Sequence, residues 1–405
     1  MVIVFNNKFV PIERNSAFIY GVVQHVLHIS EILSGAGIEV SFLLYNRDQT
    51  LLQPKCKRCR IMDYDASIVS FNFDMRRDDL IKFFSGEFRL LSSNDCRAIL
   101  YCQSLAVADY FEPSIPIVIT NHSPFVSSVF AFLGEENGRM AFDWDHPKAD
   151  FLLCRQSGAL EKLTNRCNVV FAEISKIQID HLNLLGINRS RIFNLPPVVN
   201  NESFIKHDLL PDELKQLATN NGERYVLFAV SRFDYFKDVD FFLEGVHGII
   251  ASGMISGVVL IGGEIEDPVF REIDSKLDCG FRQHITRLPR LPHNVLIQSV
   301  FPWIASCGVV ACTSRYDLVP YTMLEAIIAG AKIVVPKNGY VGAANLIPDN
   351  WTYRRTHEDF QQAVLYEASL EEINRVKACV ANKICSQNIL NKIISAANSS
   401  MRLAR

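Results

Sequence analysis

Short apolar segments alternate with longer amphipathic segments along most of the chain. In the first half, segments of four to seven residues are apolar on both faces, and they predict strands at Val2–Phe5, Glu39–Tyr45, Ser67–Phe71, Ala98–Cys102, Ile117–Thr120, Val169–Ala172 and Arg191–Leu195. The stretches Val22–Ser34 and Lys176–Leu185 between them have the helical period. Strands that are apolar on both faces and alternate with helices indicate a parallel sheet covered by helices on both sides.

The same alternation starts again after a polar stretch at residues 196–222. Further strands are predicted at Tyr225–Val230, Gly257–Ile261, Ile285–Leu288, Gly308–Cys312 and Lys332–Val335, with a helix at Asp238–Ile250 and a helical segment at Ala368–Ser400. The pattern therefore predicts an α/β protein with two doubly wound, Rossmann-like domains that face each other across a cleft. Its boundaries are an N-terminal domain over 1–198, a linker over 199–222 and a C-terminal domain over 223–385.

Composition narrows the functional classes. The 405 residues are 49% hydrophobic and 21% charged, which excludes a disordered chain. The 41 basic and 44 acidic residues give a net charge of −3, so a nucleic-acid partner is not expected. An odd cysteine count of 11 and the absence of a leader pattern predict a reducing, cytoplasmic location.

The segment from Thr313 to Val335 carries the first group of candidate residues. Asp317 follows a predicted strand, and Glu325 follows eight residues later at the predicted start of a helix. Backbone N–H groups at a helix N-terminus favour a bound anion such as a diphosphate, and carboxylates beside them suit sugar hydroxyls. The alternative is that Asp317 is a turn residue and Glu325 an ordinary helix acid.

The segment Ala229–Leu243 carries the second group. Arg232 and Lys237 follow a predicted buried strand and precede a helix, where two cations can neutralise a diphosphate or stabilise a departing nucleotide. The alternative is that both are solvated surface cations.

Both groups resemble the donor half of GT-B retaining glycosyltransferases of family 4, the glycosyltransferase group 1. That family has a G-R-x-x-x-x-K-G motif, which Ser231-Arg232 and Lys237-Asp238 match with Ser and Asp in place of the glycines. Its E-x7-E motif is matched by Asp317 and Glu325, followed by Gly330 and Val334-Val335. Looser similarities are the Gly262-Gly263 strand end, the Ile285–Pro292 stretch at the nucleotide-base loop, Gly21 before a helix and the T-x-H loop at Thr120–His122.

The resemblance implies a role for each matching position. Arg232 and Lys237 would hold the donor diphosphate, Asp317 would contact hydroxyls of the donor sugar, and His122 would lie near that sugar. The remaining donor-binding positions would be Glu325 at the ribose, the loop residues Leu318, Val319, Tyr321 and Thr322, and Gly263, Leu288 and Gly21. It also implies that a C-terminal helix over 386–405 packs back on the N-terminal domain.

The implied activity is transfer of a hexose-type sugar, with retention, from a nucleotide-diphosphate donor to a glycan, glycolipid or small-molecule acceptor. No metal or cofactor is expected, because the cations take the place of a metal. Asp317 in the place of Glu and Pro320 in the phosphate loop depart from the family pattern. The alternatives are a nucleotide-sugar epimerase of the same shape, or a catalytically silent scaffold that binds a nucleotide sugar.

Three further features have open interpretations. D-x-D triplets, which bind metal in other sugar transferases, occur at Asp63–Asp65, Asp143–Asp145 and Asp238–Asp240. The basic stretch Lys55–Arg60 indicates a solvated loop or, less favoured, peripheral contact with the inner face of an anionic membrane. A bacterial polysaccharide or glycolipid pathway is the commonest setting for enzymes of this kind.

Overall fold

A computed structural model describes most of the chain in two compact units. The described residues are 1–7, 21–46, 58–61, 64–70, 76–92, 97–143, 147–199, 207–219, 222–230, 233–263, 271, 275 and 277–404. Unit 1 comprises the described residues of 1–198 together with 384–404, and unit 2 those of 199–383.

The elements of the first unit alternate as the sequence pattern predicts. Its strands are β1 (Val2–Asn7), β2 (Glu39–Asn46), β3 (Arg58–Ile61), β4 (Tyr64–Ser70), β5 (Ala98–Cys102), β6 (Ile117–Ile119), β7 (Val169–Glu173) and β8 (Ile192–Asn194). Its helices before the second unit are α1 (Gly21–Gly35), α2 (Arg77–Leu91), α3 (Leu105–Ala108), α4 (Val126–Leu133), α5 (Glu135–Asp143), α6 (Ala149–Thr164) and α7 (Lys176–Leu184).

The second unit repeats this arrangement. Its strands are β9 (Tyr225–Ala229), β10 (Gly257–Ile261), β11 (Ile285–Leu288), β12 (Gly308–Ala311), β13 (Lys332–Pro336) and β14 (Thr352–Tyr353). Its helices are α8 (Asp212–Ala218), α9 (Val239–Ala251), α10 (Cys279–Arg282), α11 (His293–Val295), α12 (Phe301–Cys307), α13 (Tyr321–Ile328), α14 (His357–Leu365) and α15 (Leu370–Lys383). The chain ends in α16 (Ser386–Ala404), which belongs to unit 1.

The sheet of unit 1 has the strand order β3-β4-β2-β1-β5-β6-β7-β8. All pairs are parallel except that β3 runs antiparallel to β4, with Arg60 opposite Asp65. The interpretation of Lys55–Arg60 as a loop is therefore wrong for Arg58 to Arg60, which lie in an edge strand.

Helices cover both faces of this sheet. Phe84 of α2, Phe111 after α3 and Leu163 of α6 share one buried cluster with Val4 and Leu100 of the sheet. Tyr101 points to the opposite face, because side chains alternate along a strand. On that face His25 of α1 contacts Tyr101, and α1 packs against α16.

The sheet of unit 2 has the order β11-β10-β9-β12-β13-β14, with all pairs parallel. Residues of α9 and α14, including Phe242 and Phe360, pack on one face against Phe228 and Leu260. The order of strands reverses between β9 and β12, so the loops after Ala229 and Ala311 leave the same edge of the sheet. These two sheets confirm the predicted α/β fold with two Rossmann-like units.

The helical segment predicted over Ala368–Ser400 comprises two helices, α15 and α16, separated by Ile384 and Cys385, and α16 begins where the helix implied over 386–405 begins. The short strand β14 was not predicted, because two residues are too few to show a period. None of the helices in the described part of the chain is long and apolar enough to cross a membrane.

Candidate functional site

The reversal of strand order in unit 2 brings two predicted site residues together. Lys237 lies in the loop after β9, and Asp317 lies in the loop after β12. The Nζ atom of Lys237 is 2.6 Å from Oδ2 of Asp317, and the two side chains are 25% and 12% exposed. In doubly wound sheets ligands bind at the carboxyl ends of strands at such a reversal. The pair thus lies at the position where this fold binds ligands and can be reached from solvent.

The ion pair fixes the charge of Lys237. Burial disfavours the ammonium form, but the Asp317 carboxylate more than offsets this and raises the pKa of Lys237 above its ordinary value. The Ser314 hydroxyl also donates to Asp317 Oδ2, at 3.4 Å. An anionic ligand that binds Lys237 therefore has to compete with Asp317.

The loop that carries Lys237 is held from both sides. The backbone N–H of Lys237 donates to the Oδ1 atom of Asp234 at 3.1 Å. The hydroxyl of Thr313, which follows β12, donates to the carbonyl oxygens of Lys237 at 2.8 Å and of Asp238 at 3.0 Å. Because Thr313 is buried, this contact links the two loops below their reactive side chains.

Asp238 lies beside Lys237, at the position where the family motif has a glycine. It has φ +51°, the only positive φ of a non-glycine residue in the described part of the chain. Its buried carboxylate pairs with Arg315, at 2.8 Å, and with Arg355. Arg355 also donates to the carbonyl oxygen of Thr313 at 2.8 Å. A left-handed conformation is tolerated by Asp better than by most residues, and here two arginines stabilise it.

The loop that carries Asp317 is anchored by the segment after β13. The Asp317 N–H donates to the Tyr340 carbonyl at 2.8 Å, and the Gly342 N–H donates to the Asp317 carbonyl at 3.1 Å. A Cβ atom on Gly342 would lie 2.1 Å from the Leu318 carbonyl oxygen. Gly342 is therefore required for the close approach of these two segments.

The residues after Asp317 lead into α13. The Leu318 side chain is buried, at 5% exposure, so only its backbone can contact a ligand. Val319, Tyr321 and Thr322 are half-buried, and α13 begins at Tyr321 directly after Pro320. This helix starts four residues after Asp317, at a kind of position where backbone N–H groups favour an anion, although Pro320 itself has no N–H.

Glu325 lies in the second turn of α13, not at its start as the sequence suggested. Its Oε1 atom is 2.7 Å from Nε2 of His293, which begins α11. Burial lowers the pKa of His293, but the Glu325 carboxylate outweighs it through charge and hydrogen bonding, so this pKa is raised overall. Sequence reasoning missed His293, whose only signal was its position after the Ile285–Pro292 stretch. A ligand hydroxyl that reaches this oxygen of Glu325 has to displace His293.

Gly263 and Leu288 lie at the ends of neighbouring strands. Gly262 and Gly263 have φ of +143° and +61°, and a Cβ atom on Gly262 would lie 2.1 Å from the Val230 carbonyl oxygen. The Gly263 carbonyl accepts from the Arg290 N–H at 3.2 Å. The side chain of Leu288 is buried, and its carbonyl accepts from the Gly262 N–H at 3.2 Å. Side-chain contact between Leu288 and a ligand is therefore excluded in this conformation.

Arg232 lies outside the described residues, and Gly21 can be placed only in part. Gly21 is the first residue of α1, and the segment before it lies outside them as well.

In unit 1 the predicted His122 belongs to a buried polar cluster at the carboxyl end of the sheet. Its ring lies 4.3 Å from that of His25, and burial lowers its pKa to about 3, so it is neutral at pH 7. Nε2 of His25 is 3.1 Å from the Tyr101 hydroxyl, which is 2.7 Å from the Thr120 hydroxyl. From the sequence, His25 is interpreted only as a structural or solvated residue of its helix, and Tyr101 is not singled out. Their proximity depends on the packing of α1 on β5, which the sequence does not show.

Glu173 is a second group in unit 1 that sequence reasoning did not single out for chemistry. It is fully buried at the end of β7 and accepts from Asn121, from Nδ2 at 2.6 Å and from the backbone N–H at 3.3 Å. Burial raises the pKa of Glu173 to about 8, although the Asn121 hydrogen bonds act in the opposite direction. This carboxyl group therefore carries a proton at neutral pH.

Among the D-x-D triplets, Asp143 and Asp238 have structural partners, whereas Asp63 and Asp145 lie outside the described residues. Asp143 accepts from the backbone N–H groups of Lys148 and Ala149, both at 2.6 Å, at the start of α6. Asp238 is engaged by two arginines. Within the described ranges, no three His, Cys, Asp or Glu residues are grouped so that they could share a metal ion.

No protein-family profile matches the chain, and no curated protein is similar to it in sequence. Solved structures, in contrast, match it over nearly its whole length. The E. coli trehalose-6-phosphate protein bound with UDP-2-fluoro glucose is 13% identical over 98% of each chain, with a TM-score of 0.66. HepE from Anabaena, in complex with UDP and glucose, is 13% identical over 98% of this chain and 100% of its own, with a TM-score of 0.62.

A third match is WaaG, a glycosyltransferase involved in lipopolysaccharide biosynthesis. It is 14% identical over 99% of this chain and 95% of its own, with a TM-score of 0.57. At such identities the likeness establishes the fold. The chain has the GT-B fold of these proteins, as the sequence resemblance implied.

Proposed function

We propose that this GT-B chain is a glycosyltransferase, which moves a hexose-type sugar from a nucleotide-diphosphate donor to a hydroxyl of a glycan, glycolipid or small-molecule acceptor. The observation that carries the proposal is the Lys237–Asp317 pair at the strand reversal of unit 2, with Glu325 in the second turn of the helix that follows Asp317. A cation, a carboxylate and a helix start at one sheet edge suit a ligand that combines a diphosphate with sugar hydroxyls.

Donor binding would exchange two internal pairs for ligand contacts. Lys237 would turn from Asp317 to a phosphate oxygen, which would leave the Asp317 carboxylate to accept from hydroxyls of the transferred sugar. Glu325 would accept from the ribose in place of His293. UDP sugars are the first donors to test, because two of the similar structures hold UDP or a UDP sugar.

The chemistry would depend on stabilising the leaving group. Lys237, Arg232 and the backbone N–H groups at the start of α13 would neutralise the nucleoside diphosphate as its bond to the sugar breaks. The acceptor hydroxyl would attack from the same face, with retention, and a diphosphate oxygen would take its proton. With cations from the chain in this role, no metal ion is required for the proposed step.

Two alternatives have a specific observation in their favour. Because Asp317 already neutralises Lys237, the site could hold a nucleotide sugar without transferring it, as a silent scaffold would. Glu173 and His122 give unit 1 the titratable groups that an epimerase needs, although Glu173 is fully buried.

The first experiment measures nucleotide-sugar binding by thermal stability, with EDTA present. A donor that binds only the native state raises Tm by mass action. We expect one of the UDP, GDP, ADP and dTDP sugars to raise Tm, and Lys237→Met to abolish the rise. Lys215→Met is the matched control, since Lys215 also pairs with an aspartate in unit 2 but is 49% exposed, away from the strand reversal. No shift with any nucleotide sugar would contradict the proposal.

A second measurement separates transfer from binding alone. With the donor identified, release of the nucleoside diphosphate and the anomeric configuration of the product are followed with candidate acceptors. Binding without donor hydrolysis or transfer would support the scaffold, and a changed sugar on the recovered nucleotide would support the epimerase.

A further inference from the structure

A cavity of about 340 Å³ lies in unit 1, between the start of α2, the end of α3 and the middle of α6. Its polar lining consists of Arg77, Asp109, Tyr110, Cys154, Arg155 and Lys162. None of these residues belongs to the polar cluster around His122 and Glu173 or to the donor site of unit 2. The cavity is therefore separate from both of these sites.

A single buried carboxylate lies at the base of this cavity. Asp109 is 8% exposed, and its oxygens accept from Arg77 Nη2 at 2.7 Å, from Arg77 Nε at 3.2 Å and from Lys162 Nζ at 3.3 Å. Arg77 and Lys162 are about half exposed, so one face of each cation remains open to solvent. Asp109 holds both cations in place but balances only one of their two charges.

The positive charge extends beyond this trio. Arg155 lines the cavity as well, and Arg166 lies close enough for Arg77 to lower its pKa, in addition to the larger lowering by burial. Besides Asp109, Asp78 and Tyr110 also raise the pKa of Arg77. The cavity lining itself carries three cations and one carboxylate, and this excess of positive charge favours an anion in the cavity.

We infer that this cavity binds a phosphate monoester group. A tetrahedral dianion can accept from the open face of Arg77, from Lys162 and from Arg155, and arginine forks suit phosphate oxygens. The volume lies at the low end of the range of about 300–1,000 Å³ for small-ligand sites, which suits a phosphate with a small polar group attached. The phosphate can belong to a soluble metabolite or to a lipid headgroup. This inference is independent of the proposed transferase activity.

Cys154 provides a direct probe of occupancy. It is an exposed free thiol in the cavity lining, whereas Cys279 and Cys379 are exposed free thiols in unit 2. The whole chain is alkylated with N-ethylmaleimide in inorganic phosphate or glycerol phosphate, against sodium chloride of equal ionic strength, and each cysteine is followed by mass spectrometry. We expect the phosphates to slow alkylation of Cys154 about threefold or more, and to leave Cys279 and Cys379 unchanged.

Two variants test whether protection arises in the cavity. Gly158 of α6 lines the cavity, whereas Gly86 of α2 does not. A Cβ atom added at either glycine meets no atom within 4 Å. Gly158→Leu is expected to fill the cavity and abolish the phosphate-dependent protection, whereas the matched Gly86→Leu retains it. Both replace a helical glycine with a better helix former, so folding should be preserved.

The charge requirement is tested in the same way. Lys162→Gln is expected to weaken protection severalfold, and Lys176→Gln, a 71% exposed lysine of α7, to leave it intact. Equal alkylation of Cys154 in phosphate and chloride, or protection that survives both Gly158→Leu and Lys162→Gln, would overturn the inference.

Vesicles distinguish the two sources of the phosphate. Phosphatidic acid vesicles are compared with phosphatidylcholine vesicles in the same assay. Stronger protection by phosphatidic acid than by glycerol phosphate assigns the site to a lipid headgroup, and equal or weaker protection assigns it to a soluble ligand. Protection by phosphatidylcholine as well would contradict a phosphate monoester site.

Discussion

At the residue scale, Asp238 shows how a departure from a motif can be compensated by packing. Left-handed backbone costs a non-glycine residue about 1 kcal/mol or more, and a buried carboxylate without a partner costs more. Here the two costs are linked, because the same carboxylate pairs with Arg315 and Arg355 and so stabilises the conformation. These two ion pairs therefore help to hold the backbone beside Lys237 in its left-handed conformation.

Replacing Asp238 by Asn tests this compensation. Asn tolerates the left-handed conformation but removes the charge that pairs with two arginines. We expect a loss of about 1–3 kcal/mol in the free energy of unfolding by urea, and weaker binding of the donor identified above. The control is Asp240→Asn, two residues further on at an exposed position, which should change neither quantity. Equal effects of the two substitutions would contradict a positioning role for Asp238.

Glu173 makes stability depend on pH in a direction that can be worked out. Its pKa is about 8 in the folded chain, against about 4.3 in an unfolded one. Between these values the native state binds more protons, so its contribution to stability falls as pH rises across this window. Glu173→Gln resembles the protonated form and should remove that decline, so the variant gains stability over the wild type between pH 5 and 8.

Urea unfolding at several pH values measures this difference. Glu161→Gln, an exposed substitution on α6, is the control and should track the wild type at every pH. A constant offset between Glu173→Gln and the wild type would show that Glu173 is ionised throughout.

At the element scale, the position of Asp317 depends on the segment Tyr340–Gly342, which runs beside it. Gly342→Ala would place a methyl group 2.1 Å from the Leu318 carbonyl oxygen, so one segment must move. We expect a lower Tm and a donor affinity reduced by about tenfold, because Asp317 and the start of α13 move together.

Gly86→Ala is the control for this substitution. A Cβ atom there meets no atom within 4 Å, and alanine in a helix interior should raise stability by about 1 kcal/mol with donor binding unchanged. Wild-type affinity in Gly342→Ala would mean that the donor does not contact this loop.

At the scale of the whole molecule, α16 completes unit 1 although it follows unit 2 in the sequence. Ile389, Ile393, Ala396 and Ala397 are its buried apolar residues. The Ser400 hydroxyl donates to the carbonyl oxygens of Asn168 at 2.5 Å and of Ile117 at 3.3 Å. The last turns of α16 are thus hydrogen-bonded, through Ser400, to backbone carbonyl groups at the starts of β6 and β7.

Ile393→Ala should therefore destabilise unit 1 by about 2–4 kcal/mol, because it leaves a cavity beneath α16. Calorimetry should show a lower transition for unit 1, while the donor-induced shift in unit 2 is retained. Leu403→Ala, at 37% exposure in the same helix, is the control with little effect. A loss shared equally by both units would contradict this assignment of α16.

The sequence by itself determined the alternation of strands and helices, and with it the fold, since side chains that are apolar on both faces of short segments leave few other arrangements. It also placed Lys237, Asp317 and Glu325 after the appropriate strands, because a residue that follows a strand in the sequence lies near the carboxyl end of that strand.

The pairing of these side chains depends on the tertiary structure alone. Lys237 pairs with Asp317, Glu325 with His293, and Asp238 with Arg315 and Arg355. Likewise, the tertiary structure alone brought His25 to His122 and Glu173 to Asn121. All of these partners lie between 32 and 117 residues apart in the chain. The hydrophobic pattern of a strand or helix carries no information about contacts over such separations in sequence. The contacts form because parallel strands bring their carboxyl ends to one edge of a sheet.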